Sequence, residues 1–252
     1  MGQDLAGGGT APGSDSKAGT ASARRVHRDF MAVWSGQLPG SAPGSQADVW
    51  PDRTTATVRE AATTVNALIH AAAELQAVCE THRWRFCFIG GLAVQRWGEP
   101  RETVDVDLTL LTGFADEARF VSVLMGTFES RIDNAGEFAR VNRVLLLRAQ
   151  SGVGLDIALG GLPFEELAVT RSSLFTFPPD VPLRTCSAED LIVLKAFADR
   201  PKDWLDIEGI IIRQAARLDW PYVRAQLAPL AELKEAPELV DKLECRRVDL
   251  ND

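Results

Sequence analysis

The sequence predicts an α/β (α+β) protein in which a small mixed sheet is flanked by helices and followed by a C-terminal helical region. Three observations lead to this prediction. A long stretch with helical periodicity comes first, short apolar runs separated by turn-forming residues follow it, and helical patterns occupy most of the chain from Ser187 onward. With 252 residues, 46% of them hydrophobic, the chain is long enough to bury a substantial core.

We divide the chain into three parts. Residues 1–52 are rich in Gly, Ala, Ser and Pro and keep no period of 2 or 3.6, which predicts a disordered tail. Residues 55–185 form the predicted α/β domain. Residues 186–247 form the predicted C-terminal helical region, which closes one side of a cleft.

The first predicted helix runs from Thr55 to about His82. Its apolar residues recur at helical spacing and fall near one face. We therefore expect this helix to cover one face of a sheet. The residues of the stripe are Val58, Ala62, Val65, Leu68, Ile69, Ala72, Leu75 and Val78.

The short apolar runs predict strands, and the segments between them predict turns and helices. A short helix, "LAVQRWG", follows the first strand, and another helix lies around Asp116 to Met125. Ser187 is the predicted N-cap of the first helix in the C-terminal region, with Asp190 in its first turn. The predicted strands are "RFCFI", "VDVDLTLL", "VLLLRA", "VGLDIAL", "SSLFTF" and "PLRTC".

Composition argues against several classes of function. The four cysteines are far apart without a CxxC pair, which argues against a zinc knuckle or a redox motif. The three histidines all precede Gly90, which leaves little scope for a Ser/His/Asp triad. If the protein is an enzyme, carboxylates are expected to carry its chemistry.

Charge and hydropathy set the expected location and partners. No apolar run approaches the length of a membrane span, and the amino terminus lacks the pattern of a secretion signal, so we expect a cytoplasmic protein without a membrane partner. The net charge of -8 argues against a broad nucleic-acid-binding surface. A local arginine patch that holds an RNA end stays open.

Gly90 and Gly91 lie where a predicted strand turns into a helix. Glycine permits positive φ and close backbone approach, and the N–H groups of the helix start suit a phosphate. A tight turn without a ligand is the alternative. The segment is neither a GxGxxG fingerprint nor a P-loop, because the required glycines and the Gly-Lys-Ser/Thr are absent.

Three aspartates interrupt otherwise apolar strands. Side chains alternate along a strand, so Asp105 and Asp107 should project to one side, and Val104, Val106 and Leu108 to the other. Asp156 lies in the run "GVGLDIAL". An isolated Asp-x-Asp on a solvated strand face is common. Three carboxylates near a phosphate-binding turn are instead the grouping that holds Mg²⁺ in phosphoryl and nucleotidyl transfer.

At this point the sequence resembles a known family. "IGGLAVQRWGEPRETVDVDLTLL" resembles the first motif of the AbiEii-like nucleotidyltransferases, within the DNA polymerase β-type superfamily. "SAEDLIVLKAFADRPKDWLDIEGII" is similar to the later family motif, in which a helical lysine precedes a basic-Asp segment and another aspartate. The resemblance covers roughly Cys87 to Gln214 and implies a nucleotidyltransferase fold, with residues 55–185 as the catalytic domain.

The resemblance also implies roles for individual residues. Asp105, Asp107 and Asp156 would be ligands of Mg²⁺ or Mn²⁺, with Asp156 also activating the acceptor hydroxyl as general base or through a second metal. Gly90 and Gly91 would hold the triphosphate. Many members of the superfamily have serine at the position of Gly91, where a hydroxyl can bond a phosphate.

The later motif implies that Lys195 meets the nucleotide phosphates and that Asp203 or Asp206 orients it or contacts the acceptor. Alternatives stay open here. A lysine in an apolar helix can extend to solvent, and Lys202 with Asp206 can form a surface pair. Arg101 either helps to bind phosphate or pairs with a neighbouring glutamate, Glu99 or Glu102.

The expected function is metal-dependent transfer of a nucleoside monophosphate from an NTP to an acceptor hydroxyl, with pyrophosphate leaving. The resemblance suggests the toxin of a bacterial toxin–antitoxin or phage-defence pair, with a tRNA 3′ end as one acceptor and a cognate antitoxin as a partner. One alternative is a nucleotide-binding regulatory protein that has lost turnover. Another is a nucleotidyltransferase that acts on a protein or a small molecule.

Overall fold

The computed structural model describes residues 55–250, and side chains from residue 67 onward. The predicted disordered tail, residues 1–52, lies outside the described residues. The helices are α1 (Thr55–Thr81), α2 (Gly90–Trp97), α3 (Glu117–Thr127), α4 (Ala135–Asn142), α5 (Pro163–Arg171), α6 (Ala188–Ala198), α7 (Pro201–Gln214), α8 (Trp220–Leu233) and α9 (Glu238–Asp249). A short 3₁₀ turn, Ala215–Arg217, follows α7.

The strands form one mixed sheet of seven strands in the order β3-β4-β5-β2-β1-β7-β6. Their bounds are β1 (Phe86–Phe88), β2 (Asp105–Leu111), β3 (Glu129–Ser130), β4 (Val144–Arg148), β5 (Gly154–Gly160), β6 (Ser173–Phe177) and β7 (Val181–Thr185). The β2–β5 and β1–β7 pairs are parallel, and the other neighbours are antiparallel. The mixed sheet predicted from the sequence is therefore confirmed.

The apolar core is divided between the two faces of the sheet. On one face, residues of α1, α3 and α4 pack against alternate residues of the central strands, such as Val106, Leu108 and Ile157. On the other face, α2 and α5 to α9 form a second apolar cluster. Cys87 in β1 and Ile89 directly after β1 belong to this cluster. The candidate site lies on this second face, where the sheet meets α2, α6 and α7.

The predicted first helix covers the sheet as expected. Leu68, Ile69, Ala72 and Leu75 are buried in the first cluster. The carboxamide of Gln76 adds a polar anchor, since its Nε2 donates to Pro182 O and its Oε1 accepts from Arg184 N, both at 3.0 Å. The earlier residues of the stripe lie where side chains are not described.

The predicted N-cap of the C-terminal region is confirmed. Ser187 precedes α6, and its Oγ accepts a hydrogen bond from Asp190 N at 3.1 Å. All described elements after Thr185 are helical. Helices α6 to α9 share the second cluster with α2, so they pack directly on the sheet domain. The division between residues 185 and 186 stays a prediction.

The structure also contains elements that the pattern did not predict. These are the two-residue strand β3 and the helices α4 and α5. Local capping explains α5, because Glu165 Oε2 accepts from the N–H groups of Gly161 and Leu162 at 2.8 Å each. The prediction that Val104 lies on the buried face with Val106 and Leu108 is wrong. Val104 precedes β2 and is 63% exposed.

Within the described part of the chain, no helix combines the length and the apolar character that crossing a bilayer requires.

Candidate active site

The three strand aspartates meet on one face of the sheet. Asp107 on β2 lies directly opposite Asp156 on the parallel strand β5, and Asp105 lies opposite Gly154. Residues two apart on a strand share a face, and register partners on neighbouring strands do the same. The predicted convergence of Asp105, Asp107 and Asp156 is therefore present in the fold.

Burial alters the ionisation of two of these carboxyl groups. It raises the pKa of Asp156 to about 6, an effect that Arg131 reduces and the charges of Asp107 and Asp105 reinforce. Burial also raises the pKa of Asp107, against a hydrogen bond from Gly91 N and the charge of Lys195. Burial thus disfavours the charged form of both carboxyl groups, and a nearby cation would favour it.

Gly90 and Gly91 form the turn from β1 into α2, as predicted. Gly90 has φ of +55°, and a Cβ on it would overlap the carboxylate of Asp107. Gly91 N donates to Asp107 Oδ2 at 3.4 Å. A Cβ on Gly91 would overlap the side chain of Thr103, so the space that a serine would need is filled. Close packing requires both glycines, since Gly90 lies against Asp107 on β2 and Gly91 lies against Thr103 in the segment before β2.

These groups line one cleft of about 450 Å³. Its walls come from the β1–α2 turn, the segment before β2, the second face of β2, β4 and β5, and the helices α6 and α7. The predicted site residues in the lining are Gly90, Gly91, Arg101, Asp105, Asp107, Asp156, Lys195 and Asp203. Asp206 is outside this lining set but bonds to two members of it, Arg101 and Lys195.

Lys195 does not extend to solvent. It is 5% exposed, and its Nζ donates to Asp203 Oδ1 at 3.1 Å and to Asp206 Oδ2 at 2.6 Å. Asp203 and Asp206 are three residues apart on α7, so both face the lysine on α6. Of the roles considered for this pair, the geometry matches the orientation of Lys195, and it contradicts a surface pair of Lys202 with Asp206.

Arg101 forms its ion pair with Asp206 and not with the carboxylate of Glu99 or Glu102, although its Nη1 donates to the backbone oxygen of Glu102 at 3.2 Å. Its Nε and Nη2 donate to the two carboxylate oxygens of Asp206 at 2.7 and 2.9 Å. Burial opposes ionisation of Asp206, but the hydrogen bonds from Arg101 and Lys195 outweigh it and lower the pKa of this carboxyl group. A buried carboxylate thus connects an arginine and a lysine at the edge of the cleft.

Arg131 was not predicted as a site residue. Its Nη1 donates to Asp105 Oδ1 at 3.3 Å and its Nη2 to Asp156 Oδ1 at 2.5 Å. It follows β3, whose pairing with β4 brings it to the sheet. No sequence motif marks it, since "SRIDN" lies in a turn far from the other site residues along the chain.

Two other cations of the cleft were also missed. Arg200 donates to both carboxylate oxygens of Asp203, at 2.5 and 3.2 Å. Lys202 is exposed and lines the cleft. The spacing of three residues between Arg200 and Asp203 could have indicated the role of Arg200. The basic-Asp segment could have indicated the role of Lys202.

The donor set suits a divalent cation, because Mg²⁺ and Mn²⁺ prefer carboxylate oxygens. As the side chains stand, however, the described residues contain no group of three His, Cys, Asp or Glu gathered closely enough to hold a metal ion. The positive charge beside these carboxylates comes from Arg131, whose guanidinium pairs with both Asp105 and Asp156. The residues fit a metal in chemistry and in placement on the sheet.

Comparison with known proteins identifies a family. Residues 75–219, more than half of the chain, match the model described as the nucleotidyl transferase AbiEii toxin of a Type IV toxin–antitoxin system. A search of curated proteins returned no match.

Solved structures give weaker similarities. An antigenic nucleotidyltransferase-like protein from Paracoccidioides brasiliensis is 18% identical, with 72% of this chain and 94% of that one covered and a TM-score of 0.44. The solution structure of the antibiotic-resistance factor ANT(2'')-Ia is 17% identical, with 69% and 96% covered and a TM-score of 0.41. A crystal structure of ANT(2'')-Ia with adenylyl-2''-tobramycin is 18% identical, with 75% and 98% covered and a TM-score of 0.35.

Proposed function

The chain belongs to the AbiEii nucleotidyl transferase toxin family, and from this premise we propose that it catalyses divalent-metal-dependent transfer of a nucleoside monophosphate from an NTP to an acceptor hydroxyl. In this reaction the acceptor oxygen forms a bond to the α-phosphorus, the bond from that phosphorus to the bridging oxygen breaks, and pyrophosphate leaves. The observation that carries the proposal is the placement of Asp105, Asp107 and Asp156 on one face of β2 and β5, beside the Gly90–Gly91 turn.

Asp105, Asp107 and Asp156 are the proposed ligands of Mg²⁺ or Mn²⁺. A bound divalent cation would neutralise phosphate charge and favour the attacking oxyanion. The chain itself supplies rigid positions for the ligands, since two of them lie on β2 and the third on its parallel neighbour. Asp156 is also the proposed acceptor of the proton that leaves the attacking hydroxyl.

The Gly90–Gly91 turn and the cations of the cleft are the proposed holders of the triphosphate. The absence of side chains on the turn brings the α2 backbone next to Asp107, so that phosphate oxygens bound there would lie beside the carboxylates. Lys195 lies on the wall that α6 forms, where Asp203 and Asp206 hold its ammonium group. Arg101, which Asp206 orients, would add a planar fork suited to phosphate.

An RNA 3′ end, such as that of tRNA, is the proposed acceptor. Arg101, Arg200 and Lys202 lie along the cleft and provide a local basic edge on a chain whose net charge is -8. A local patch of this kind suits the phosphates of an RNA end without a broad nucleic-acid surface. The family description of a Type IV toxin–antitoxin system supports a cognate antitoxin as a functional partner.

The experiment is a transfer assay with the full chain. Each of the four NTPs, labelled at the α-phosphate, is incubated with Mg²⁺ and separate pools of tRNA, protein and an aminoglycoside, with an EDTA arm as control. We expect label to enter tRNA only when Mg²⁺ is present, and pyrophosphate to be released in equal amount.

The other outcomes decide between the alternatives. Label in the protein or aminoglycoside pool and none in tRNA would replace the proposed acceptor and leave the reaction type intact. NTP binding by calorimetry without transfer to any pool would favour the regulatory protein. Transfer that persists at full rate in EDTA would exclude metal dependence.

A further inference from the structure

The guanidinium of Arg131 lies among the carboxylates of the candidate active site. It donates one hydrogen bond to Asp105 and one to Asp156, which belong to neighbouring strands. The Arg131 side chain is 21% exposed, against 41% for Asp105 and 33% for Asp156. The arginine is therefore more enclosed than the two carboxylates that it joins.

The protein has a specific place for this guanidinium. Gly154 is the register partner of Asp105, and a Cβ on Gly154 would overlap both Asp105 Oδ1 and Arg131 Nη1. The backbone of Arg131 is also held, because its N–H donates to Leu146 O at 3.1 Å. Gly154 thus leaves the space that the guanidinium occupies, and the backbone hydrogen bond holds the residue beside β4.

A guanidinium and a divalent cation require the same carboxylate oxygens here. Asp105 Oδ1 and Asp156 Oδ1 each accept from Arg131, so they are engaged while the arginine stays in place. Electrostatic repulsion explains why these carboxylates bind a cation, because carboxylates that lie close together repel one another unless a positive charge compensates them. Arg131 supplies that positive charge from within the chain.

We propose that Arg131 competes with a divalent cation for the carboxylate oxygens of Asp105 and Asp156. Metal binding at these aspartates then requires the guanidinium to leave. This inference rests on the proposed metal-dependent function. It adds that a side chain of the protein itself competes with the metal for its carboxylate ligands. The affinity for metal would then depend on Arg131, which lies outside the family motifs.

The test measures Mn²⁺ affinity of the full chain by the paramagnetic resonance signal of free Mn²⁺, without nucleotide. Arg131→Met removes the charge and retains most of the side-chain length, and Arg131→Lys retains the charge without the two-pronged geometry. Arg119→Met is the matched control, because Arg119 pairs with Asp116 on the surface, where both side chains are more than half exposed. Melting temperatures without metal establish that each variant is folded.

We expect Arg131→Met to bind Mn²⁺ about tenfold or more tightly than the parent, the scale on which a nearby opposite charge alters the affinity of a carboxylate for a proton. Arg131→Lys should lie between them, and Arg119→Met should match the parent. Equal or weaker Mn²⁺ binding by Arg131→Met overturns the competition and leaves the proposed function standing. If Arg131→Met does not fold, parent-like affinity in Arg131→Lys overturns it instead.

The proposed function fails in a different way. A lack of Mn²⁺ binding by both the parent and Arg131→Met at millimolar concentration overturns the competition, whereas the metal-dependent mechanism is excluded by transfer that persists at full rate in EDTA. The two failures are distinguishable because the first is measured as Mn²⁺ affinity without nucleotide and the second as transfer activity in EDTA.

Discussion

Lys195 Nζ donates to Asp206 Oδ2 at 2.6 Å across the contact between α6 and α7, and all but a small part of both side chains is buried. Asp203 accepts a second hydrogen bond from the same ammonium. The positive charge of the buried ammonium balances the negative charges of the two carboxylates. Removing the ammonium leaves more buried negative charge without a partner, which is unfavourable. The site therefore contributes to stability as well as to the proposed chemistry.

We predict that Lys195→Met lowers the free energy of unfolding by about 3 kcal/mol without nucleotide, the lower end of the cost of breaking a buried ion pair. The lower end applies because Arg200 and Arg101 still pair with the two aspartates. Urea unfolding followed by circular dichroism measures this value. Lys202→Met is the control on the exposed side of α7 and should change stability little; parent-like stability of Lys195→Met would show that the ammonium is not needed for compensation.

The paired carboxyl group of Asp206 should make the stability of the protein depend on pH. Its pKa is lowered from its ordinary value of 3.8, despite burial, by hydrogen bonds from Arg101 and Lys195. A carboxyl group with a lowered pKa in the folded state stabilises the protein above the unfolded pKa and loses that contribution as pH falls through the folded pKa. The contribution of Asp206 to stability should thus be complete above about pH 4 and should decline as the pH falls below that value.

The measurement is urea unfolding of the parent and Asp206→Asn across this pH range. We expect the parent to be more stable by about 2 kcal/mol near neutral pH, the scale of a hydrogen bond to a charged group, and the difference to narrow as the pH falls below about 4. Asp241→Asn, an exposed position on α9, should keep a constant and small difference. A constant difference for Asp206→Asn would contradict the assigned ionisation.

Two glycines should respond in opposite directions to the same substitution. Gly90→Ala places a Cβ at a left-handed φ and against the carboxylate of Asp107, so we predict a loss of about 2 kcal/mol or more. Gly126→Ala lies in helix α3 with nothing within 4 Å of the new Cβ, and it should gain about 0.5–1 kcal/mol. Thermal unfolding of both variants tests this; a Gly90→Ala protein as stable as the parent would mean that the turn relaxes away from β2.

The proposed metal ligands should be required for activity and not for folding. We predict that Asp105→Asn and Asp107→Asn each reduce nucleotidyl transfer by about a thousandfold or more, which corresponds to several kcal/mol of lost transition-state stabilisation. The melting temperature of Asp107→Asn should equal or exceed that of the parent, because burial disfavours the charged carboxylate and the charge of Asp105 adds to this effect. Asp133→Asn, on the exposed turn after β3, is the control. Parent-like transfer by either site variant would remove the proposed ligand set.

Local sequence determined those features whose causes are local. Alternation of apolar residues on a strand places Asp105 and Asp107 on one face whatever the rest of the chain does. A spacing of three turns Asp203 and Asp206 to one side of a helix, and a serine three residues before an aspartate caps α6. Periodicity and capping depend on backbone geometry within a few residues, so the sequence alone was sufficient to predict them.

Only the tertiary structure decided which distant groups meet. The parallel pairing of β2 with β5 brings Asp156 opposite Asp107, the β3–β4 pairing delivers Arg131 to Asp105, and the packing of α7 near the segment before β2 joins Asp206 to Arg101, 105 residues away along the chain. A charged side chain in the sequence has many oppositely charged candidates, and their separation along the chain carries no information on distance in space. The choice of partner follows from which elements bury their apolar faces together, and that is settled only when the whole sheet and its helices pack.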